Sequence, residues 1–204
     1  LDPRQIGKHS HKIFNFNCYK CSHKFPMKLL HISYDHWCPY CYIKICIDNN
    51  CTYCFNKSFA SDLRSIDWDY KSNGFRPRDI AKMSSIKCWF NCRKCCHQFD
   101  IVLSNVSRND SWCRYCAHQD LCEEDCDFCF NNSFASHPFS IYWSKKNKID
   151  ARYVFLNSRT KYLFDCSICG KDFLITPNKV NNGRGCGKCK NKTEIKFKEW
   201  FDFD

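Results

Sequence analysis

The sequence predicts a chain of small metal-stapled repeats with short β-hairpins and brief helices, in place of one large core. Three observations carry that expectation. First, eighteen of the twenty cysteines fall into spaced groups. Second, the groups recur about every 74 residues together with matching aromatic and basic positions. A fixed period means one structural unit copied. Third, each copy is too short to fold on apolar burial alone, and chains of that size need a metal or disulfide staple.

The staple is read from spacing. Cys18, Cys21, Cys38 and Cys41 form C-x2-C-x16-C-x2-C, as do Cys166, Cys169, Cys186 and Cys189. Between them Cys92, Cys95, Cys113 and Cys116 form C-x2-C-x17-C-x2-C. A C-x2-C knuckle sets two sulfurs on one ion, and a knuckle on a returning hairpin completes a tetrahedron, which is the pattern of structural zinc. The rival disulfide framework needs a secreted chain, and no signal peptide is visible.

Two smaller groups lie between the quartets: Cys46, Cys51 and Cys54, then Cys122, Cys126 and Cys129. Three thiolates leave one tetrahedral position to fill. Asp62 and His137 occupy equivalent places eight residues after Cys54 and Cys129. Both types ligate zinc, so they are expected as the fourth ligands. The competing reading puts them at a helix start, after Ser61 and Ser136 as N-caps. Five zinc ions are expected in all. Cys88 matches Phe14 and Tyr162 and reads as core, while Cys96 stands outside the C-x2-C register.

The rest of the copy is aromatic. Phe16, Phe90 and Phe164 each precede a knuckle by two residues, and Phe25, Phe99 and Phe173 each follow one by four. They are expected to be buried beside the metal. The stretches Cys54–Ser61 and Cys129–Ser136 are nearly identical, and Trp68 matches Trp143. Brief helices are expected near 61–68, 136–143 and 193–201. A helix after the second knuckle is the treble-clef arrangement, so the fold expected is tandem treble-clef or zinc-ribbon units. The copies are drawn at 1–66, 67–141 and 142–204, the last with its C-terminal helix, as an elongated row. No apolar run approaches the length that spans a membrane.

The stretches FNCYKCSHKF with WCPYC, FNCRKCCHQF with WCRYC, and FDCSICGKDF with GCGKC resemble the probable zinc-ribbon treble-clef repeat family of large nucleocytoplasmic DNA viruses and some bacteria and fungi. The resemblance covers almost the whole chain. The third copy departs from it, with Lys171 in the histidine place and Gly185 in the tryptophan place. In that family such arrays often precede a restriction-endonuclease-like domain, and the closing NKTEIKFKEWF resembles the helix that begins one. The resemblance implies a fold more than an activity.

The formal net charge of +11 invites a nucleic-acid reading. That count treats cysteine as neutral. A four-thiolate zinc site carries about −2 and a three-thiolate site about −1, so five loaded sites lower the balance to about +3. Local distribution therefore matters more. Arg4, Arg78 and Arg152 recur at one place in each copy, and Lys171, Lys179, Arg184 and Lys188 enrich the third. These are the expected phosphate contacts, on one basic surface opposite the acidic segment 123–127. Internal pairing of the arginines is the competing reading.

The function expected is a nucleic-acid-binding zinc array, the targeting part of a larger protein, with DNA or RNA as partner. The alternative is an adaptor module binding protein in a viral assembly or transcription machinery, supported by the 17% aromatic content. No enzyme is expected: Glu194-x-Lys196 lacks a second carboxylate, and no glycine loop cradles phosphate. Reduced cysteines place the chain in an intracellular, reducing setting: host nucleus or cytoplasm, or a viral factory or virion if viral.

Overall fold

The computed structural model describes residues 3–32, 34, 37–42, 44–109 and 111–189. Its strands form three two-stranded antiparallel hairpins: β1 (Ile13–Asn17) with β2 (Lys24–Lys28), β3 (Lys87–Asn91) with β4 (Gln98–Val102), and β5 (Tyr162–Asp165) with β6 (Asp172–Ile175). The helices are short: α1 (Leu29–Ile32), α2 (Pro39–Tyr42), α3 (Thr52–Lys57), α4 (Tyr70–Asn73), α5 (Leu103–Asn109), α6 (Asp127–Asn132) and α7 (Pro177–Asn181). The chain divides into two compact units, Leu1–Trp112 and Cys113–Asp204.

The repeated phenylalanines are cross-strand partners. Phe16 faces Phe25, Phe90 faces Phe99 and Phe164 faces Phe173. Such pairs fix register, because a one-residue slip would turn both rings to the other face. Phe90 and Phe164 are buried, as expected, but Phe16 is only half-buried. The reason lies in what covers them. Phe59 and Trp68 pack on Phe90, and Phe134 and Trp143 pack on Phe164. Trp37 packs on Phe16, but among the described residues no counterpart of Phe59 or Trp68 does so. A repeat boundary at 66/67 or 141/142 therefore follows sequence register but divides a packed aromatic cluster in each case.

The expected helices near 61–68 and 136–143 are each two 3-10 turns, Phe59–Ser61 with Leu63–Asp67, and Phe134–Ser136 with Pro138–Tyr142. Extended backbone at Asp62 and His137 separates them. The helix expected near 193–201 lies outside the described residues. No helix among the described residues is long and apolar enough to cross a membrane.

Candidate metal centres

Each first knuckle is shaped by one backbone device. The N–H of Cys18 donates to the carbonyl of His23 at 2.9 Å, and the N–H of Ser22 to that of Cys18 at 2.8 Å. The second and third copies repeat both bonds through Cys92, Cys96 and His97, and through Cys166, Gly170 and Lys171. The turn needs a left-handed residue, and Ser22, Cys96 and Gly170 supply it with φ of 58°, 58° and 65°. Glycine takes that conformation without strain. Cys96 thus serves the turn and is exposed, while Cys88 is fully buried on β3, where burial pushes its thiol up to about 11.

Within the first unit two sets of donors are complete. In the first, Cys18, Cys21, Cys38 and Cys41 bring four sulfurs within 4.8 Å of one another. Cys18 lies 3.4 Å from Cys41, and Cys21 lies 3.4 Å from Cys38. A disulfide needs about 2.05 Å. A tetrahedral zinc site needs edges of about 3.8 Å, so the set has the size of a metal site. In the second unit Cys166, Cys169, Cys186 and Cys189 form a complete set of the same kind.

The other set in the first unit corrects an expectation. Cys46, Cys51 and Cys54 are joined by His23, not by Asp62. His23 Nε2 lies 3.4 Å from Cys51 Sγ and 3.5 Å from Cys54 Sγ. Those spans match the roughly 3.6 Å sulfur–nitrogen edge of a zinc tetrahedron. The imidazole is held by stacking on Tyr40, with centroids 4.4 Å apart, and by the edge of Tyr53. Burial acts to raise the Cys46 thiol, but hydrogen bonds from His23, Cys54 and Arg78 prevail and hold it near 6. By sequence register, Cys92, Cys95, Cys113 and Cys116 match the first quartet, and His97, Cys122, Cys126 and Cys129 match His23, Cys46, Cys51 and Cys54. The five sets could each bind one zinc ion, and replacing Asp62 by His23 leaves the charge balance at about +3.

Asp62 and His137 do share a role: both are N-caps, one residue after the serines expected there. Asp62 Oδ1 accepts from the N–H of Arg64, and His137 Nδ1 from the N–H of Phe139, each at 3.0 Å. His137 is buried and stacked on Phe134, and burial lowers its pKa, so it rests there as a neutral acceptor. His23→Ala is therefore expected to remove one zinc ion. His137→Ala should keep all the zinc and cost about 1 kcal/mol as a lost cap. Native mass spectrometry and denaturant midpoints check the pair; loss of an ion from the His137 variant would restore it as a ligand.

The expected basic surface is also revised. Arg78 is only 8% exposed, and its NH2 donates to the carbonyl of Asp48 at 2.7 Å. Arg152 NH2 donates to the carbonyl of Glu124 at 2.8 Å. Arg152 thus sits against the acidic segment, not opposite it. Both guanidinium groups are engaged by backbone carbonyls beside a cysteine loop. Arg4, Lys171, Lys179, Arg184 and Lys188 are exposed.

The chain is 38% identical over 182 residues, 86% of its length, to an uncharacterized protein of Acanthamoeba polyphaga mimivirus. It spans 44% of that protein's length. The segment running from the turn before Trp68 to the end of the second quartet matches the family model described as a probable treble clef zinc finger domain. The match covers residues 66–119.

Proposed function

We propose that the chain is a non-catalytic zinc array that binds nucleic acid through its third copy. The observation that carries this is the run 173–189, which holds Lys179, Arg184 and Lys188 and no acidic residue. All three are exposed, with Lys171 exposed nearby. Lys179 lies on α7, a five-residue helix, and Arg184 follows it beyond the turn at Gly183. Short hairpins pinned by metal keep such side chains in a fixed pattern, which suits contacts to a charged backbone more than to base edges. Phosphate contact then falls to Arg4, Lys171, Lys179, Arg184 and Lys188, without Arg78 and Arg152. An adaptor function is the second reading. It is favoured by matching apolar exposure in two copies: Ile66 and Ile141 are 66% and 68% exposed.

Titrating the zinc-loaded chain with duplex DNA, single-stranded DNA and RNA at two salt concentrations separates the two. The array reading expects binding that weakens steeply with salt and depends little on sequence. Changing Lys179, Arg184 or Lys188 to alanine should each shallow the logarithmic salt slope by about one. No measurable binding at physiological salt would turn the reading to the adaptor.

A further inference from the structure

Arg78 and Arg152 stand at the same place relative to two different cysteine clusters. Arg78 lies on the 3-10 turn Pro77–Asp79, and Arg152 on the turn Ala151–Tyr153. Arg78 NH2 approaches Cys46 Sγ at 3.8 Å while donating to Asp48, and its NH1 reaches the Cys46 carbonyl at 3.5 Å. Arg152 NH2 approaches Cys122 Sγ at 3.7 Å while donating to Glu124. Cys46 and Cys122 are the first cysteines of their clusters, and the carbonyl accepted is two residues later in both. The same pair of contacts, to the first sulfur and to the carbonyl two residues on, is therefore built twice, and Arg78 adds a third.

The chemistry of the small sites explains the need. Three thiolates and a neutral imidazole around a divalent ion leave about one negative charge in a part-buried place. An unpaired buried charge is costly. A guanidinium is always charged, and its planar fork can meet a sulfur and a carbonyl together, which a lysine ammonium cannot do with equal geometry. Arg78 Nε is buried and finds no hydrogen-bond partner. The group is thus held by its contacts at the fork and by the charge of the cluster, with no surplus of bonds elsewhere.

We propose that Arg78 and Arg152 are positioning residues for zinc: each neutralises a small site, fixes the loop carrying its first cysteine, and so ties metal retention there to docking of the following 3-10 turn. This does not depend on what the array binds.

The test is metal release from the full, zinc-loaded chain to a chromophoric chelator, comparing wild type with Arg78→Gln, Arg152→Gln and Arg78→Lys. One of the five ions should leave about 10- to 100-fold faster in each glutamine variant, and two in the double variant. The three four-cysteine sites should release as in wild type. Arg78→Lys, which keeps the charge and loses the fork, should fall between. Cadmium-113 spectra of the loaded proteins add a readout of the site itself: one of the two three-sulfur, one-nitrogen resonances should move in the Arg78 variants while the other and the four-sulfur resonances stay. Unchanged release of all ions would overturn the proposal. Uniform acceleration of all five would do the same, since it would mean a generally loosened fold. If Arg78→Gln does not fold, the Arg152 and lysine variants decide on the same criteria.

Discussion

Stripping zinc with excess chelator under reducing conditions is expected to unfold the whole chain, not loosen it. The cluster around the first hairpin shows why. Its buried members are Cys18, Cys21, Phe25 and Cys38, three of them donors. Without metal the fully buried part of that core is one phenylalanine and a set of sulfurs, flanked by the partly buried Phe16, Met27 and Trp37, on a hairpin that is marginal alone. A structural zinc site supplies about 10–16 kcal/mol of folding free energy, comparable to or larger than the 5–15 kcal/mol total of a typical domain. Five sites are at stake, and none of the cysteines is in a disulfide that would hold the chain. Circular dichroism and amide dispersion in proton spectra should both collapse, and both should return on adding zinc. A chain that keeps native dispersion after metal removal would show that the aromatic clusters suffice.

Among single substitutions, Phe90→Ala should be one of the most damaging that spare the metal ligands. The ring is fully buried and meets Phe59, Trp68, Phe99 and Trp112 at centroid distances of 5.5, 5.3, 5.9 and 5.0 Å. Removing a phenylalanine so enclosed costs about 3–5 kcal/mol, because the surrounding rings cannot collapse into the space. Phe16→Ala, at the equivalent but half-buried place, should cost clearly less. Denaturant midpoints on the zinc-loaded variants check the order; equal losses would mean that hairpin pairing, not the aromatic cover, sets the stability of a copy.

The quartets were legible because their ligands are local: a knuckle fixes two sulfurs within four residues, and spacing alone reveals it. The phenylalanine pairs were legible for the same reason, as the hairpin brings them into register. The fourth ligand of the small sites was not. Asp62 and His137 drew attention by being near the clusters and by belonging to types that bind zinc, yet those types also cap helical turns, and capping is what they do. His23 lies 28 residues before Cys51. A signal for it was present in the copies themselves. Histidine follows the left-handed knuckle residue in the two copies that precede a three-cysteine cluster, and Lys171 takes its place in the copy that precedes none. The recurrent arginines were visible too, but recurrence alone does not separate a residue facing solvent from one serving a repeated internal need.

The histidine on the first knuckle also imposes a sequence of events. Cys21 and Cys38 are 17 residues apart, whereas His23 and Cys54 are separated by 31. The extra chain adds only about 0.5 kcal/mol of closure entropy, too little by itself to delay the second site. Orientation decides instead. His23 faces its cluster only once the turn through Ser22 has formed, and that turn is pinned by Cys18 and Cys21. Arg78 in turn has a loop to grip only when Cys46 has been drawn in. Maturation is therefore expected to run from the amino end, each closed ring presenting the group on which the next one closes: Cys18→Ser should lose the ion at His23 as well as its own in native mass spectrometry, and loss of one ion alone would refute that order.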